Sequence, residues 1–200
     1  MLSKCLLLAC LGFHATLASA AWICPLRTDF AGAGDCNLFG TPYSGDELPA
    51  VFTVDRDGTP ACPGASELFV IADAARAWSS VEGSAFSFGF GGFEERAVGH
   101  LFFGDGVQHL KFKALDVGQI AKVWVYGPPG READAAFTLD DLWDCGGGEL
   151  SLMAIALHQL GHALGLGHSS DPESVMNLIV INEELADSDE ACLRELYPGE

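Results

Sequence analysis

The sequence predicts a single domain of mixed α and β structure, with about five strands and three helices. Two observations favour this class. Short segments in which apolar and polar residues alternate recur between residues 50 and 139, and segments with the helical spacing of apolar residues lie among and after them. The chain has 200 residues, which is long enough for one domain with a substantial buried core.

Five segments show the two-residue periodicity of strands. In one of them Phe86, Phe88 and Phe90 share a face, and in another Leu110 and Phe112 alternate with lysines. The predicted strands cover residues 50–54, 86–90, 110–114, 122–126 and 135–139. A Gly-Pro-Pro-Gly sequence at 127–130 predicts the turn between the last two strands.

Two helices are predicted from the residues themselves. Ser66 is suited to cap the N-terminus of a helix that runs to residue 78. Residues 152–164 contain no proline and a single glycine, Gly161, and their apolar residues recur with helical spacing. We therefore expect residues 152–164 to form a buried helix.

The first part of the chain has the features of a secreted protein. Residues 1–20 resemble a signal peptide, because Lys4 precedes a short apolar run and a small-residue cleavage site ends at Ala20. The apolar run is too short to span a bilayer. Residues 21–47 are rich in glycine, proline and aspartate and predict a loop segment, which leaves residues 48–200 as the folded domain. We expect an extracellular location.

The formal net charge of −18 bears on partners. Such an acidic protein is a poor ligand for nucleic acid and for anionic membranes, and we expect neither as a partner. The acidic residues are scattered, which favours a solvated surface over a site for basic substrates. We expect a monomer.

Cysteine usage fits an oxidising compartment. Five cysteines remain after the signal peptide, enough for up to two disulfides and one odd thiol. The sequence does not select a pairing. The five are Cys24, Cys36, Cys62, Cys145 and Cys192.

Residues 158–168 carry the pattern of a metal site. His158 and His162 are four residues apart, so on a helix they project from one face. Gly165 can adopt a positive φ and end the helix, and the turn then brings His168 to the same point. Three neutral imidazoles leave one zinc coordination position open, as in catalytic sites. The alternative, a helix with two core histidines, leaves the glycine and the third histidine unexplained.

These residues resemble a known family. Residues 158–168 are similar to the zinc signature of the metzincin peptidases, and the continuation to residue 172 resembles the matrixin branch, the matrix-metalloproteinase type. Met176 stands where that family has its Met-turn, which places a thioether beneath the imidazoles. Weaker similarity extends over residues 69–88, 134–143 and 185–197, the last of which implies a third helix.

The resemblance implies an α+β, metzincin-like fold: a twisted five-stranded, mostly parallel sheet with an antiparallel edge strand, and three helices. The edge strand is expected at residues 135–139, where Ala135, Ala136 and Phe137 would border the substrate cleft. Residues 48–200 are then the catalytic domain. The resemblance also implies a secreted zinc endopeptidase that uses one Zn²⁺ of catalytic type and acts on peptide or protein substrates.

Gln159 departs from the family pattern, which has a glutamate there as the general base. A glutamine amide can hydrogen-bond to water but cannot accept its proton near neutral pH. Loss of a general base typically lowers the rate by about 10²–10⁴. Asp171 and Glu173 are the nearest carboxylates after the third histidine, and neither is an obvious substitute. Two alternatives stay open: an attenuated endopeptidase, and a non-catalytic zinc-binding pseudoprotease that binds peptides or inhibitors.

Further departures concern other metal sites. Ala136 and the neighbourhood of Lys122 and Val123 replace the histidines of the family's structural zinc site, so a structural zinc is not expected. Thr138 replaces an expected calcium-binding aspartate, which leaves calcium binding open.

Other family features are also missing. His100 and His109 are dispersed and are interpreted as ordinary residues. The family's latency motif is missing, which disfavours a cysteine latch on the zinc. The specificity-pocket motif is missing from 177–180, and pocket specificity is left open.

Overall fold

The computed structural model describes residues 22–23, 36–94, 105–126, 131–139 and 143–199. The predicted signal peptide at 1–20, most of the predicted loop segment before residue 36, Cys24, His100 and the predicted turn at 127–130 lie outside these residues.

The described residues form three α-helices and seven strands. In chain order they are β1 (Trp22–Ile23), β2 (Ala50–Asp55), α1 (Ser66–Ser79), β3 (Phe88–Glu94), β4 (Gln108–Lys113), β5 (Ala121–Tyr126), β6 (Glu132–Thr138), α2 (Leu152–Leu164), β7 (Ile179–Val180) and α3 (Asp187–Leu196). Short 3-10 helices occur at Gly45–Glu47, Pro63–Ala65 and Asp144–Gly146. Within the described part of the chain, no helix has both the length and the apolar character needed to cross a membrane.

Five strands form one sheet in the order β3-β2-β4-β6-β5. The pairs β2–β3, β2–β4 and β4–β6 are parallel, and β5–β6 is antiparallel. Helices α1 and α2 pack against each other and against this sheet. The predicted α+β class, with a mostly parallel five-stranded sheet, one antiparallel pair and three helices, is confirmed.

The prediction that Ala135, Ala136 and Phe137 lie on the edge strand is wrong. They belong to β6, which pairs with β4 on one side and with β5 on the other, and all of its residues are buried. The antiparallel edge strand is β5, which immediately precedes β6 in sequence.

The edge position was inferred from the family resemblance and not from the residues of the strand. Glu132 and Asp134 alternate with alanines, a pattern that is typical of a strand with one exposed face. In the fold, however, Glu132 accepts a hydrogen bond from the backbone N–H of Gly106 at 2.7 Å, and Asp134 accepts one from that of His109 at 2.9 Å. These bonds help both carboxylates to be buried inside the sheet.

Smaller differences concern element ends. Ser66 is the first residue of α1 and not its cap, because Ala65 occupies the N-cap position with φ of 59°. Phe86 is buried just before β3, which begins at Phe88 and extends beyond the predicted end to Glu94. The third helix is slightly shorter than the resemblance implied.

The hydrophobic core fills the space between the sheet and the two long helices. Trp78 of α1 is fully buried, and its indole N–H donates to the carbonyl of Leu157 in α2 at 3.0 Å. This bond fixes the two helices to each other in addition to their apolar contacts. The largest fully buried side chains include Trp78, Trp143, Phe112, Phe137, Ile71, Leu110, Leu152, Ile155 and Leu157.

Two disulfides are present, Cys36–Cys192 and Cys62–Cys145. The first joins residues 36–41, which we call the N-terminal segment, to α3 across 156 residues of sequence. The second joins the segment before α1 to the 3-10 helix before α2, across 83 residues. Both therefore restrain long loops of the unfolded chain, where cross-links have their largest effect.

A polar cluster lies on β3, β4 and the loop before β4. His109 Nδ1 is 2.6 Å from Glu94 Oε1, and its Nε2 is 3.1 Å from Asp105 Oδ2. Burial alone would lower the pKa of His109, but the hydrogen bonds to Glu94 and Asp105 outweigh it and raise that pKa. Burial alone would raise the pKa of Glu94, but hydrogen bonds from Thr53 and His109 outweigh burial and lower that pKa.

We predict that the pairing of His109 with Glu94 stabilises the fold most between about pH 4.5 and about pH 6.5. Because folding raises the pKa of His109, its contribution to the free energy of unfolding is present below the pKa of the unfolded chain and is lost as pH rises through the pKa of the folded protein. Because folding lowers the pKa of Glu94, its contribution is present above the pKa of the unfolded chain and is lost as pH falls through the pKa of the folded protein. A double-mutant cycle with His109→Asn and Glu94→Gln, measured by denaturant unfolding, should give more coupling at about pH 5.5 than at about pH 9.

The cycle is needed because Asp105 and Asp134 also contact His109, and Lys111 Nζ is 3.7 Å from Glu94 Oε2; burial raises the pKa of Asp134 to about 6. These three groups titrate in all four proteins of the cycle, so their effect on the coupling free energy largely cancels. A coupling free energy that does not change with pH would contradict the prediction.

Candidate metal centre

Helix α2 carries the first two predicted ligands and ends where the third must approach. The hydroxyl of Ser151 accepts a backbone hydrogen bond and caps its N-terminus. Gly165 has φ of 121°, a value that side chains rarely tolerate, and it ends the helix three residues after His162. The chain then reverses and brings His168 back beside His158 and His162.

The three histidines converge on one point. One potential ligand atom from each lies within 4.8 Å of those of the other two. The ring centroids are 4.6 Å apart for His158–His162, 4.8 Å for His162–His168 and 5.4 Å for His158–His168. All three side chains are buried. The structure thus brings together the residues that the sequence analysis proposed as metal ligands.

Backbone carbonyls orient two of the imidazoles. His158 Nδ1 is 2.8 Å from the carbonyl oxygen of Val175, and His162 Nδ1 is 2.8 Å from that of Leu166. Because a carbonyl can only accept, Nδ1 carries the proton in each ring and Nε2 has the lone pair. Burial lowers the pKa of His158 to about 3 and that of His162 well below its usual value. Neutral imidazoles with oriented Nε2 atoms are the donors that zinc takes in open sites, so the residues fit the ion.

Met176 lies directly under α2. A Cβ atom built at Gly161 would be 2.2 Å from Met176 Sδ and 3.1 Å from Cζ2 of Trp78. The single glycine of α2 is therefore needed because the thioether and an indole ring occupy the space beside its backbone. Met176 is only 2 % exposed and packs against the helix next to the second histidine, His162.

Asp189 supports the turn that contains Met176, and the sequence analysis missed it. Its carboxylate accepts from the hydroxyl of Ser174 at 2.5 Å and from the backbone N–H groups of Val175 at 2.9 Å and Ala186 at 3.0 Å. Val175 in turn provides the carbonyl that orients His158. An acid in the first turn of a helix is common for reasons of helix stability alone, so the sequence carries no specific signal for this role.

Gln159 is 2 % exposed on α2 beside His158. No carboxylate joins the cluster of three histidines within the described residues. The carboxylate of Asp171 is held by the hydroxyl of Ser188 at 2.6 Å and by the backbone N–H of Glu173 at 3.0 Å. These bonds lower the pKa of Asp171, which makes it a weaker base. The side chain of Glu173 is exposed.

A second residue that the sequence analysis missed is Arg131. It precedes β6 and is 4 % exposed, at the C-terminal end of α2. Its guanidinium donates to backbone carbonyls of both α2 and the N-terminal segment. A single arginine after a predicted turn belongs to no motif, so only the fold reveals these contacts.

The positions that depart from the family's structural metal sites lie on neighbouring strands. Lys122 of β5 is the strand partner of Ala136 of β6, and its amine lies 4.8 Å from the centroid of the Trp124 ring. Thr138 ends β6 and is buried. The segment after Met176 forms β7, which pairs with β1.

Comparison with known sequences identifies the family. The sequence profile of the matrixin peptidases matches residues 52–198, a region that includes all three helices and nearly all of the five-stranded sheet. The chain belongs to the matrixin family. The three ligand candidates, Gln159 and Met176 all lie within the matched region.

Several curated matrixins are similar over shorter stretches. Matrilysin from Felis catus is 48% identical over 60 residues, which cover 30% of this chain and 22% of that protein. Matrix metalloproteinase-2 from Drosophila melanogaster is 35% identical over 103 residues, or 47% of this chain and 13% of that protein. Macrophage metalloelastase from Oryctolagus cuniculus is 36% identical over 77 residues, or 38% and 16% respectively. The similarity therefore spans less than a quarter of the length of each relative.

We predict that the purified protein binds about one zinc ion per chain. His162→Ala should abolish binding and lower the unfolding temperature, because bound metal stabilises the native state by mass action. Elemental analysis and thermal unfolding would measure both effects. His109→Asn is the control, since it changes a histidine outside the cluster and should retain the ion. Wild-type protein that takes up no zinc from micromolar solutions would contradict the prediction.

We predict that Gly161→Ala destabilises the matrixin domain although alanine is the better helix former by about 1 kcal/mol. The added methyl group would overlap Met176 Sδ, and overpacking of this kind costs about 1–3 kcal/mol. Denaturant unfolding of the zinc-loaded proteins measures the change. In a Met176→Ala background the same substitution should cost much less. A stabilising effect in the wild-type background would refute the packing argument.

Proposed function

We propose that this matrixin is a secreted zinc-dependent endopeptidase that hydrolyses peptide bonds at a rate strongly reduced by Gln159. The observation that carries the proposal is the convergence of three buried histidines on one point, with a glutamine next to the first of them. The histidines support metal binding, and the glutamine supports the loss of rate.

His158, His162 and His168 would hold the ion through Nε2. When bound, zinc supplies a Lewis acid that polarises a peptide carbonyl and makes water more acidic. The amide of Gln159 can hold a water molecule by a hydrogen bond, but it cannot take the proton of that water or pass it to the leaving amine. Hydrolysis then lacks the side chain that usually carries the proton.

Strand β5 is the element that we propose for substrate docking. It is the antiparallel edge of the sheet, and it packs near α2, which carries the ligands. An extended peptide can add to such an edge through backbone hydrogen bonds. This role replaces the one first assigned to Ala135, Ala136 and Phe137, which are inside the sheet.

A second candidate function is a pseudoprotease that binds zinc and captures peptides or inhibitors without cleaving them. The observation in its favour is that no carboxylate among the described residues joins the histidine cluster, while Asp171 is engaged by Ser188 and the backbone. The cleft and the metal centre would then serve binding alone.

Secretion is part of the proposal. It is supported by the signal-peptide features of residues 1–20 and by the two disulfides, which persist in oxidising compartments. Peptides or proteins are the proposed partners.

The deciding experiment compares wild type with Gln159→Glu on a fluorogenic peptide, with zinc content measured on both. We predict that Gln159→Glu raises kcat by about 10²–10⁴ with little change in peptide affinity. Gln159→Ala is the matched control, because it removes the amide without adding a base and should not raise the rate. A variant that also carries His162→Ala reports contaminating peptidases.

Each outcome has a distinct meaning. Equal activity of wild type and Gln159→Glu would show that another group transfers the proton, and the account of Gln159 would fail. If wild type and Gln159→Glu both contain zinc and bind the peptide but do not cleave it, the result favours the pseudoprotease. Absence of zinc from both proteins would overturn both functions.

A further inference from the structure

The guanidinium of Arg131 donates hydrogen bonds to four main-chain carbonyls, and its Cζ lies 5.4 Å from the centroid of the Tyr43 ring. Nε donates to Ala163 at 2.7 Å and Nη2 to His162 at 2.6 Å. Nη1 donates to Phe39 at 2.9 Å and to Thr41 at 2.6 Å. Four of its five N–H groups therefore bridge the last turn of α2 and the N-terminal segment. The positive charge also lies at a helix C-terminus, where it is favoured by the helix dipole.

The N-terminal segment contacts the loop that orients His162. The backbone N–H of Phe39 donates to the carbonyl of Gly165 at 2.7 Å, and that of Gly167 donates to the carbonyl of Asn37 at 2.7 Å. Between these two bonds lies Leu166, whose carbonyl accepts from His162 Nδ1. The orientation of the second ligand thus depends on a loop that residues 37–39 hold in place.

The segment also touches the ligand directly. The ring of Phe39 lies 4.7 Å from the imidazole of His162, centroid to centroid. His162 is consequently restrained at three places: its own carbonyl by Arg131, its Nδ1 by Leu166, and its ring by Phe39. Among the described side chains, Arg131 donates both to the backbone of His162 and to the segment that carries Phe39.

We propose that Arg131 is a positioning residue of the metal centre: it clamps residues 39–41 to the end of α2 and so holds His162 ready to bind zinc. This inference rests on the proposed zinc site but not on peptide hydrolysis. A capping arginine with only a stabilising role would change the stability of the whole domain and leave the affinity of the folded protein for metal unchanged. The clamp instead predicts a loss at the metal centre of a protein that is still folded.

The test uses Arg131→Lys, which keeps the charge but loses the planar fork that reaches both chain segments. Its matched control is Arg76→Lys, the same change at an exposed arginine of α1 that pairs with Asp73. Val54→Ala serves as a second control, since it weakens the core away from the metal. Zinc affinity is measured by chelator competition, ligand geometry by the absorption spectrum of bound Co²⁺, and local opening by amide hydrogen exchange of residues 160–168 without metal.

We expect Arg131→Lys to lower zinc affinity by about 10–100-fold, the range seen when groups behind a ligand are lost. It should also alter the Co²⁺ spectrum and speed exchange at 160–168. Neither control should do so. A folded Arg131→Lys protein with the affinity, spectrum and exchange of Arg76→Lys would overturn the proposal.

The experiment also distinguishes two other outcomes. If wild type takes up no metal, the proposed function fails, while the exchange measurement still decides the role of Arg131. If Arg131→Lys does not fold, Phe39→Leu takes its place, because it removes the ring contact with His162 and leaves the arginine in position. Unchanged metal affinity and exchange in Phe39→Leu would then refute the clamp.

Discussion

Three buried imidazoles that converge on one point impose the main constraint on this fold. A ring that gives Nε2 to a metal gives its Nδ1 proton to an acceptor, and for His158 and His162 the acceptors are the carbonyls of Val175 and Leu166. Backbone carbonyls can do this only if the loops that carry them do not move. The rest of the molecule supplies that rigidity.

Two separate supports hold the two carbonyls. Asp189 of α3 binds the backbone around Val175, and the N-terminal segment binds the backbone on either side of Leu166. The disulfide Cys36–Cys192 connects these supports covalently, because one cysteine begins the segment and the other lies in α3. The N-terminal segment and α3 thus hold the loops beside the histidines, while α1 and the sheet pack against α2.

Patterns that repeat or cluster in the sequence predicted the fold class and the convergence of the three histidines. The spacing of His158, His162 and His168 around Gly165 predicts that the three rings converge, because a helix followed by a glycine turn allows few other arrangements. Strand positions followed from alternation, but strand order did not. β6 was placed at the edge through the family resemblance, and nothing in its residues shows that it pairs with a strand on each side.

Residues such as Arg131 and Asp189 could not be predicted from the sequence, for a different reason. Most of their partners are backbone groups more than ten residues away, and the amino-acid sequence does not show which backbone group a side chain will meet. Contacts of side chains with distant main chain are fixed by the tertiary fold and leave no periodicity or motif. The same holds for the pairing of the four bonded cysteines, which the sequence left open.

The placement of residues 37–41 matters for anyone who shortens this protein. The match to the matrixin profile begins at residue 52, and a fragment cut there would keep all three histidines of the cluster, both long helices and nearly all of the sheet. It would lack two of the four carbonyl acceptors of Arg131, the partners of the loop around Leu166 and one half of a disulfide. We therefore expect that the smallest fragment able to hold a metal in the right geometry is longer than residues 52–198.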